Sequence, residues 1–546
     1  MSEQTHRQID ASGRLRIPAF VRRVAGSASS ASRPNAAKFK QGLEGIKDWT
    51  ARLPSLLDSP PWRAPLPNVT ELSPGWRRHD RTHLEINLEY PVADDNRTWE
   101  AWIFLPQSFR LDSDTYTKRQ IGADIQSHVR LSAPALELDG VSREATRVAS
   151  IIRRSDPADA IDELKLFACR VRETVARATL EVRLLDSTEE MEVAADELAT
   201  ATRAAMTDLR RRLRRATDAA DPGVVETAGW VDEHLSNIVE MSMVKLVRDL
   251  SRRRSTSPAV AHVKQTAVAE AQHRADSGAG PSVTADSSTF DLEQVERHRH
   301  ALKRVTSSVL WLESEASDPR RNPEHALHAI AAGVAMTFAV AAALLYGTPN
   351  DATDLWVWGG LAVIAYMGKD RLKAALQDVF NGYIDRRYPN RRWVVRHGAT
   401  GSQVAAAEEK FRFVGPDELP DDVARFRHDL QRDSLGETLE LDSILHHRQA
   451  MKVDAQAVKR IDRRFDALTE ILRIDVARWL THTDDPSRSV MLADPESGEL
   501  FKSSLPRAYD VTILHRLAPA GATTDWSAAR VVLSRKGIRR VDQLDA

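Results

Sequence analysis

Apolar and polar positions change their period several times along this chain, and each change marks an element. Leu84, Ile86, Leu88 and Tyr90 alternate with His83, Glu85, Asn87 and Glu89, a period of two that sets one strand face on a core and the other in water. A run of aromatic and β-branched residues from Trp99 to Leu105 follows the turn-rich Pro91 to Arg97 and predicts a hairpin with the first strand. Thr117 with Gln120 has capping-box spacing and opens a helix that aligns Ile121, Ile125 and Val129. Residues 70–140 are thus expected to form a small α+β module.

Over 150–254 the period lengthens. Asp156 before Pro157, Ser187 with Glu190, and Asp221 before Pro222 are three helix starts. Leu164, Phe167, Val171, Ala178, Val182 and Leu185 form a seam for partner helices, so a three-helix bundle is expected. Residues 255–288, rich in Ser, Ala, Thr, Gly and Pro, have no apolar period and are expected to be a flexible linker. In 289–317, Leu292, Val295, Leu302, Val305, Val309 and Leu312 fit an interrupted heptad, predicting a helix that leads towards the membrane and packs on another helix or a second copy.

From His325 to Asn350 there is no Asp, Glu, Lys or Arg. Residues 326–347 at about 1.5 Å each reach roughly 33 Å, enough for a hydrocarbon core of about 30 Å. A shorter apolar run, Leu355 to Gly368, suggests a return helix over 353–369, with Trp356, Trp358 and Tyr366 near the interfaces. Lys and Arg flank the two runs and are missing from the loop between them, so both termini are expected in the cytoplasm of a two-pass inner-membrane protein. Residues 370–396, with Lys369 before them, are expected to form a basic amphipathic collar. Lys369, Arg371, Lys373, Arg386, Arg387, Arg391, Arg392 and Arg396 face three acids there, a surplus suited to anionic lipid headgroups. The alternative is a charged helix end with solvated arginines.

Residues 405–546 are expected to be a cytosolic α+β module. Asp454 caps a predicted helix that reaches Leu480 through Val458, Ile461, Phe465, Leu468, Leu472 and Val476, and short alternating runs after it predict a small antiparallel sheet. Residues 1–45, polar and basic, read as a disordered arm without a secretory signal. The expected fold class is a multi-domain membrane protein, mainly α with small α+β modules, built on a helical bundle and a two-helix transmembrane hairpin.

Composition narrows the chemistry. In 546 residues, 77 Lys and Arg oppose 78 Asp and Glu, so overall charge gives no reason to expect a nucleic-acid partner. The basic turn Arg210, Arg211, Arg212, Arg214 and Arg215 lacks a second basic stripe and reads as a solvated helix face. One cysteine, Cys169, excludes an internal disulfide and a multi-thiolate zinc site within one chain. Phosphate-loop, dinucleotide, nucleophile-elbow and zinc-protease motifs are missing, and no cofactor is expected. His298 and His300, then His325 and His328, sit before or at the start of the first span; the latter pair with Glu296 or Glu324 are candidate metal ligands, with interfacial histidines the plainer reading. His446 and His447 are adjacent, so on a helix their side chains would diverge.

TYTKRQIGADIQSHVRLSAPAL (Thr115 to Leu136), KDRLK (Lys369 to Lys373), FRFVGPDELP (Phe411 to Pro420) and RVVLSRKGIRRV (Arg530 to Val541) resemble a family of uncharacterised bacterial membrane proteins. The resemblance implies an inner-membrane setting and carries no catalytic residues. Three functions are then open: a membrane-anchored scaffold or signalling protein acting through lipid, a protein partner or a second copy; a membrane-tethered enzyme with a scattered site; and a subunit of an oligomeric pore.

Overall fold

The computed structural model describes residues 75–544 except 94, 255–256, 282, 285, 346–351, 434–442, 520–521 and 523–525. The basic arm expected over 1–45 and the loop around Asn350 lie outside the described residues. In chain order the strands are β1 (Arg77–Arg78), β2 (His83–Pro91), β3 (Asn96–Leu105), β4 (Ile125–Leu131), β5 (Glu313–Ser317), β6 (Arg391–Arg396), β7 (Gln403–Val414), β8 (Ser443–Val453), β9 (Ala467–Asp475), β10 (Ser487–Ala493), β11 (Leu500–Pro506), β12 (Tyr509–Pro519), β13 (Ser527–Ser534) and β14 (Gly537–Leu544). The helices are α1 (Lys118–Asp124), α2 (Gly140–Arg154), α3 (Pro157–Arg183), α4 (Thr188–Thr217), α5 (Pro222–Arg253), α6 (Pro258–Ser277), α7 (Thr289–Ser307), α8 (Arg321–Leu345), α9 (Ala352–Arg387), α10 (Asp421–Asp433) and α11 (Ala455–Ile461).

These elements divide into two compact units. The helical unit takes Leu131–Trp311 with Arg464–Asp466. Its starts are those the sequence signals: Asp156 accepts from the Ala158 N–H, Ser187 from Glu190 and Asp221 from Gly223, with Pro157 and Pro222 opening α3 and α5. Leu164, Phe167, Val171, Leu198, Met206, Leu209, Val231 and Leu246 meet in one core. The flexible linker expected over 255–288 is corrected. Ser257 caps α6, Pro258 starts it, and Gly278 ends it at φ 64, a left-handed conformation that suits glycine. Alanine carries this helix by propensity rather than by an apolar stripe, and Val263 and Ala267 still reach the core.

The sheet unit takes Gly75–Arg130, Leu312–Arg463 and the chain from Ala467 onward. Eight strands run antiparallel in the order β14-β13-β12-β3-β8-β7-β6-β5, four in the order β1-β2-β9-β4, and β10 pairs with β11. The expected β2–β3 hairpin does not form, because β2 pairs with β1 and β9 while β3 lies between β8 and β12. Nor does a helix run from Asp454 to Leu480; α11 stops at Ile461 and β9 follows. The helix expected over 289–317 ends at Ser307, and Glu313–Ser317 is strand.

The expected fold class is corrected on two counts. Fourteen strands in three antiparallel sheets stand beside eleven helices among the described residues, so the chain is not mainly α. The second count concerns α8 and α9, which form an arm inserted between the edge strand β5 and its neighbour β6. Among the described residues only one helical stretch, Arg321–Ala342 in α8, is long and apolar enough to cross a membrane, so a two-helix transmembrane hairpin is not evident. The packing of α9 explains this. His328 Nε2 lies 3.0 Å from Asn381 Oδ1, and a Cβ on Gly368 would stand 3.3 Å from the Phe338 ring. This antiparallel register sets Lys369, Asp370, Arg371 and Lys373 beside the middle of the apolar run of α8. Each charge at a bilayer centre costs about 2.5–3.5 kcal/mol on an insertion scale.

Candidate functional site

The arm turns apolar side chains outward. Ala331 and Ala335 of α8 are buried, but Ile330, Val334, Met336, Phe338, Val340 and Leu344 are exposed, Leu344 to 78%. On α9, Val363, Ile364, Tyr366 and Met367 are exposed as well. Only 11% of the apolar window in α8 is buried, the reverse of a soluble core helix.

The eight residues expected to bind headgroups separate into three places. Lys369, Arg371 and Lys373 stand part-way along the arm, with the Lys369 ammonium 3.9 Å from the Tyr366 ring centroid. Arg386 and Arg387 are exposed at its root, roughly 21 Å below Lys373 at 1.5 Å per helical residue. The rest belong to β6, so the continuous helical collar over 370–396 is broken by the sheet. Arg391 points inward, 2.6 Å from Glu409 Oε2, and also donates to the Gly122 carbonyl. Arg392 pairs across the strands with Glu408 at 2.6 Å, and Arg396 donates to the Gly401 carbonyl.

Several of the other candidates have protein partners. His298 Nε2 is 2.7 Å from Glu233 Oε1, and His328 faces Asn381. Among the described residues no group of three His, Cys, Asp or Glu is placed to hold a metal ion. Arg210 binds Asp232 and Glu270, while Arg211 and Arg212 pair with Asp208. The Cys169 thiol is buried and donates to the Thr306 carbonyl. His446 and His447 lie on β8, where adjacent side chains take opposite faces: His446 stacks on Trp102, and His447 enters the core 4.9 Å from the Trp99 ring.

That core contains a polar layer the sequence reading missed. Glu470 of β9 is fully buried and accepts from Tyr90 Oη at 3.0 Å, Ser127 Oγ at 2.5 Å and Gln449 Nε2 at 2.8 Å. Burial raises its pKa, and the nearby Glu409 charge adds to the effect. Glu409 shifts the other way. Burial opposes its ionisation, yet His447 Nε2 at 3.5 Å and the Arg391 guanidinium outweigh that and bring it down to about 2. The signal was present in the strand parity. In β9, Leu468, Glu470, Leu472 and Ile474 share one face, so a carboxylate stands in an apolar row.

No family model matches the chain, and no curated protein matches it. Among solved structures it is similar to a de novo designed 16-helix transmembrane nanopore determined by cryo-EM, at 11% identity, covering 46% of this chain and 98% of that one with a TM-score of 0.12. A likeness at that score carries no argument.

Proposed function

We propose that the protein is a membrane-anchored scaffold whose arm enters the bilayer with its apolar distal end and holds the helical and sheet units at the membrane surface. The observation that carries this reading is the outward exposure of Phe338, Val340 and Leu344 of α8 and of Val363, Ile364 and Met367 of α9, distal to the charges of α9. Lys369, Arg371 and Lys373 then lie at the boundary between lipid and water, where their stems rest on the apolar surface and their charges meet anionic headgroups. Within this proposal the membrane is the bacterial inner membrane that the sequence resemblance implies, with both units on its cytoplasmic side.

Alkaline carbonate extraction of native membranes tests the anchor. The protein is expected to stay in the pellet and to float with liposomes after reconstitution. Recovery as a soluble oligomer would assign the apolar faces to contacts between copies instead. Changing Lys369, Arg371 and Lys373 together to Gln is expected to leave the protein inserted while weakening its preference for anionic over neutral liposomes. Each basic residue contributes about 1 kcal/mol near an anionic surface.

A further inference from the structure

On the face of the eight-stranded sheet that also packs against α10, one cross-strand row carries a surplus of positive charge, even with Asp422 of α10 3.9 Å from Arg516. Lys410 of β7 is the register partner of Arg448 of β8, Arg448 of Glu100 of β3, and Glu100 of Arg516 of β12. The row has a single carboxylate, and it is already engaged. Glu100 Oε1 is 2.9 Å from His446 Nε2, and its Oε2 accepts from Arg516 Nη2 at 2.8 Å. Arg516 is further fixed over the Trp526 ring, 4.1 Å from its centroid. Arg412, one step along β7, is neutralised by Glu418.

Lys410 and Arg448 remain. Lys410 Nζ donates to the Arg386 carbonyl at 2.8 Å and meets no carboxylate, while Arg448 is exposed and has no partner among the described residues. Like charges directly opposed on neighbouring strands destabilise a sheet. Burial, Arg412, Lys118 and Arg448 all make the Lys410 ammonium easier to deprotonate, against the opposite pull of Asp385. Arg448 and Arg516 also wall a cleft of about 260 Å³ with Thr98, Glu100, Ala518 and Pro519 on its surface. The cleft thus offers one fixed guanidinium, one guanidinium without a partner among the described residues, and a neighbouring ammonium.

We propose that this cleft binds a phosphate-type oxyanion, with Arg448 forming the bidentate contact, Lys410 supplying a second charge and Arg516 a preset wall. The ligand is either a free phosphate-bearing molecule or a lipid headgroup. Membrane anchoring is not required for the site, so the two readings fail separately.

Inorganic pyrophosphate titrated calorimetrically into the full-length protein in neutral detergent tests the site. Saturable binding that weakens with added salt is expected, and Arg448→Gln is expected to lower affinity at least about tenfold. Arg448 is exposed and has no partner among the described residues, so this variant keeps the fold, checked by a melting transition no lower than the parent's. Arg392→Gln, on the same sheet face but paired with Glu408, is expected to bind like the parent. Failure of the parent to bind pyrophosphate, or equal affinity in Arg448→Gln, overturns the proposal. Vesicles with and without phosphatidic acid separate the sources: a free ligand predicts equal flotation of parent and Arg448→Gln, a headgroup predicts selective loss on the acidic vesicles.

Discussion

Glu409 is a buried charge in the core of the sheet unit. Its carboxylate is fully buried between Arg391 and His447, and removing one partner of a buried ion pair costs about 3–5 kcal/mol because the other charge is left unpaired. Glu409→Gln is therefore expected to destabilise the sheet unit by that order at neutral pH, measured by denaturant unfolding. The variant also changes the acid limb. The folded-state pKa is depressed to about 2 from 4.5, so this group's stabilisation is present above about pH 4.5 and is lost as pH falls towards 2. In Glu409→Gln that part of the pH dependence disappears. His515 acts at higher pH. Burial lowers it from 6.5 to about 4, so the unfolded chain binds a proton first and stability falls as pH drops between those values. His234 does the same in the helical unit, through burial and then through Arg172 and Lys303. Hydrogen exchange is expected to show both units loosening over this range. His515→Gln should flatten the response of the sheet unit alone.

The elements separate what was legible in the sequence from what was not. Helix starts were legible because a cap is a local bond: Thr117, Ser187 and Asp221 each accept the expected N–H. Asp221→Ala is expected to cost the helical unit about 1 kcal/mol in thermal or denaturant unfolding, the ordinary value of a lost cap. Strand existence was legible in β2 and β3, but not partnership, since β3 pairs with β8 and β12, hundreds of residues away. Leu468, Leu472, Val476 and Leu480 misled for a different reason. A spacing of four is also a multiple of two, so the series fits a strand face as well as a helix face. Of the candidate site, the apolar run and its basic flank were legible in composition. The division of the arginines was not, because Arg391 faces inward and Arg392 outward only once β6 has taken its place beside β7.

At the scale of the whole molecule, the arm is an insertion in a sheet that is complete without it. Ser317 and Arg392 are register partners at the point where β5 leaves for α8 and β6 returns from α9, so a short turn can join them with little chain to close. Arg320 and Lys118 both contact Asp385 at the root, but the cores of both units are built from residues outside the arm. Replacing residues 321–387 by an Asn-Gly turn, with Tyr388, Pro389 and Asn390 kept to lead into Arg391, should leave both units folded. Asn-Gly is a strong turn former and closes the loop that the retained Asp318–Arg320 and Tyr388–Asn390 complete between Ser317 and Arg392. The protein lacking the arm is expected to move from the membrane pellet to the soluble fraction while keeping the far-ultraviolet circular dichroism of a mixed α and β protein. It should also retain pyrophosphate binding through Arg448, since neither Arg448, Arg516 nor Glu100 lies in the arm. Continued sedimentation with membranes in a folded, monodisperse sample would move the anchor to another surface of the protein. Loss of the folded signal would mean instead that contacts at the root, Lys118 with Asp385 first among them, are required to close the sheet edge.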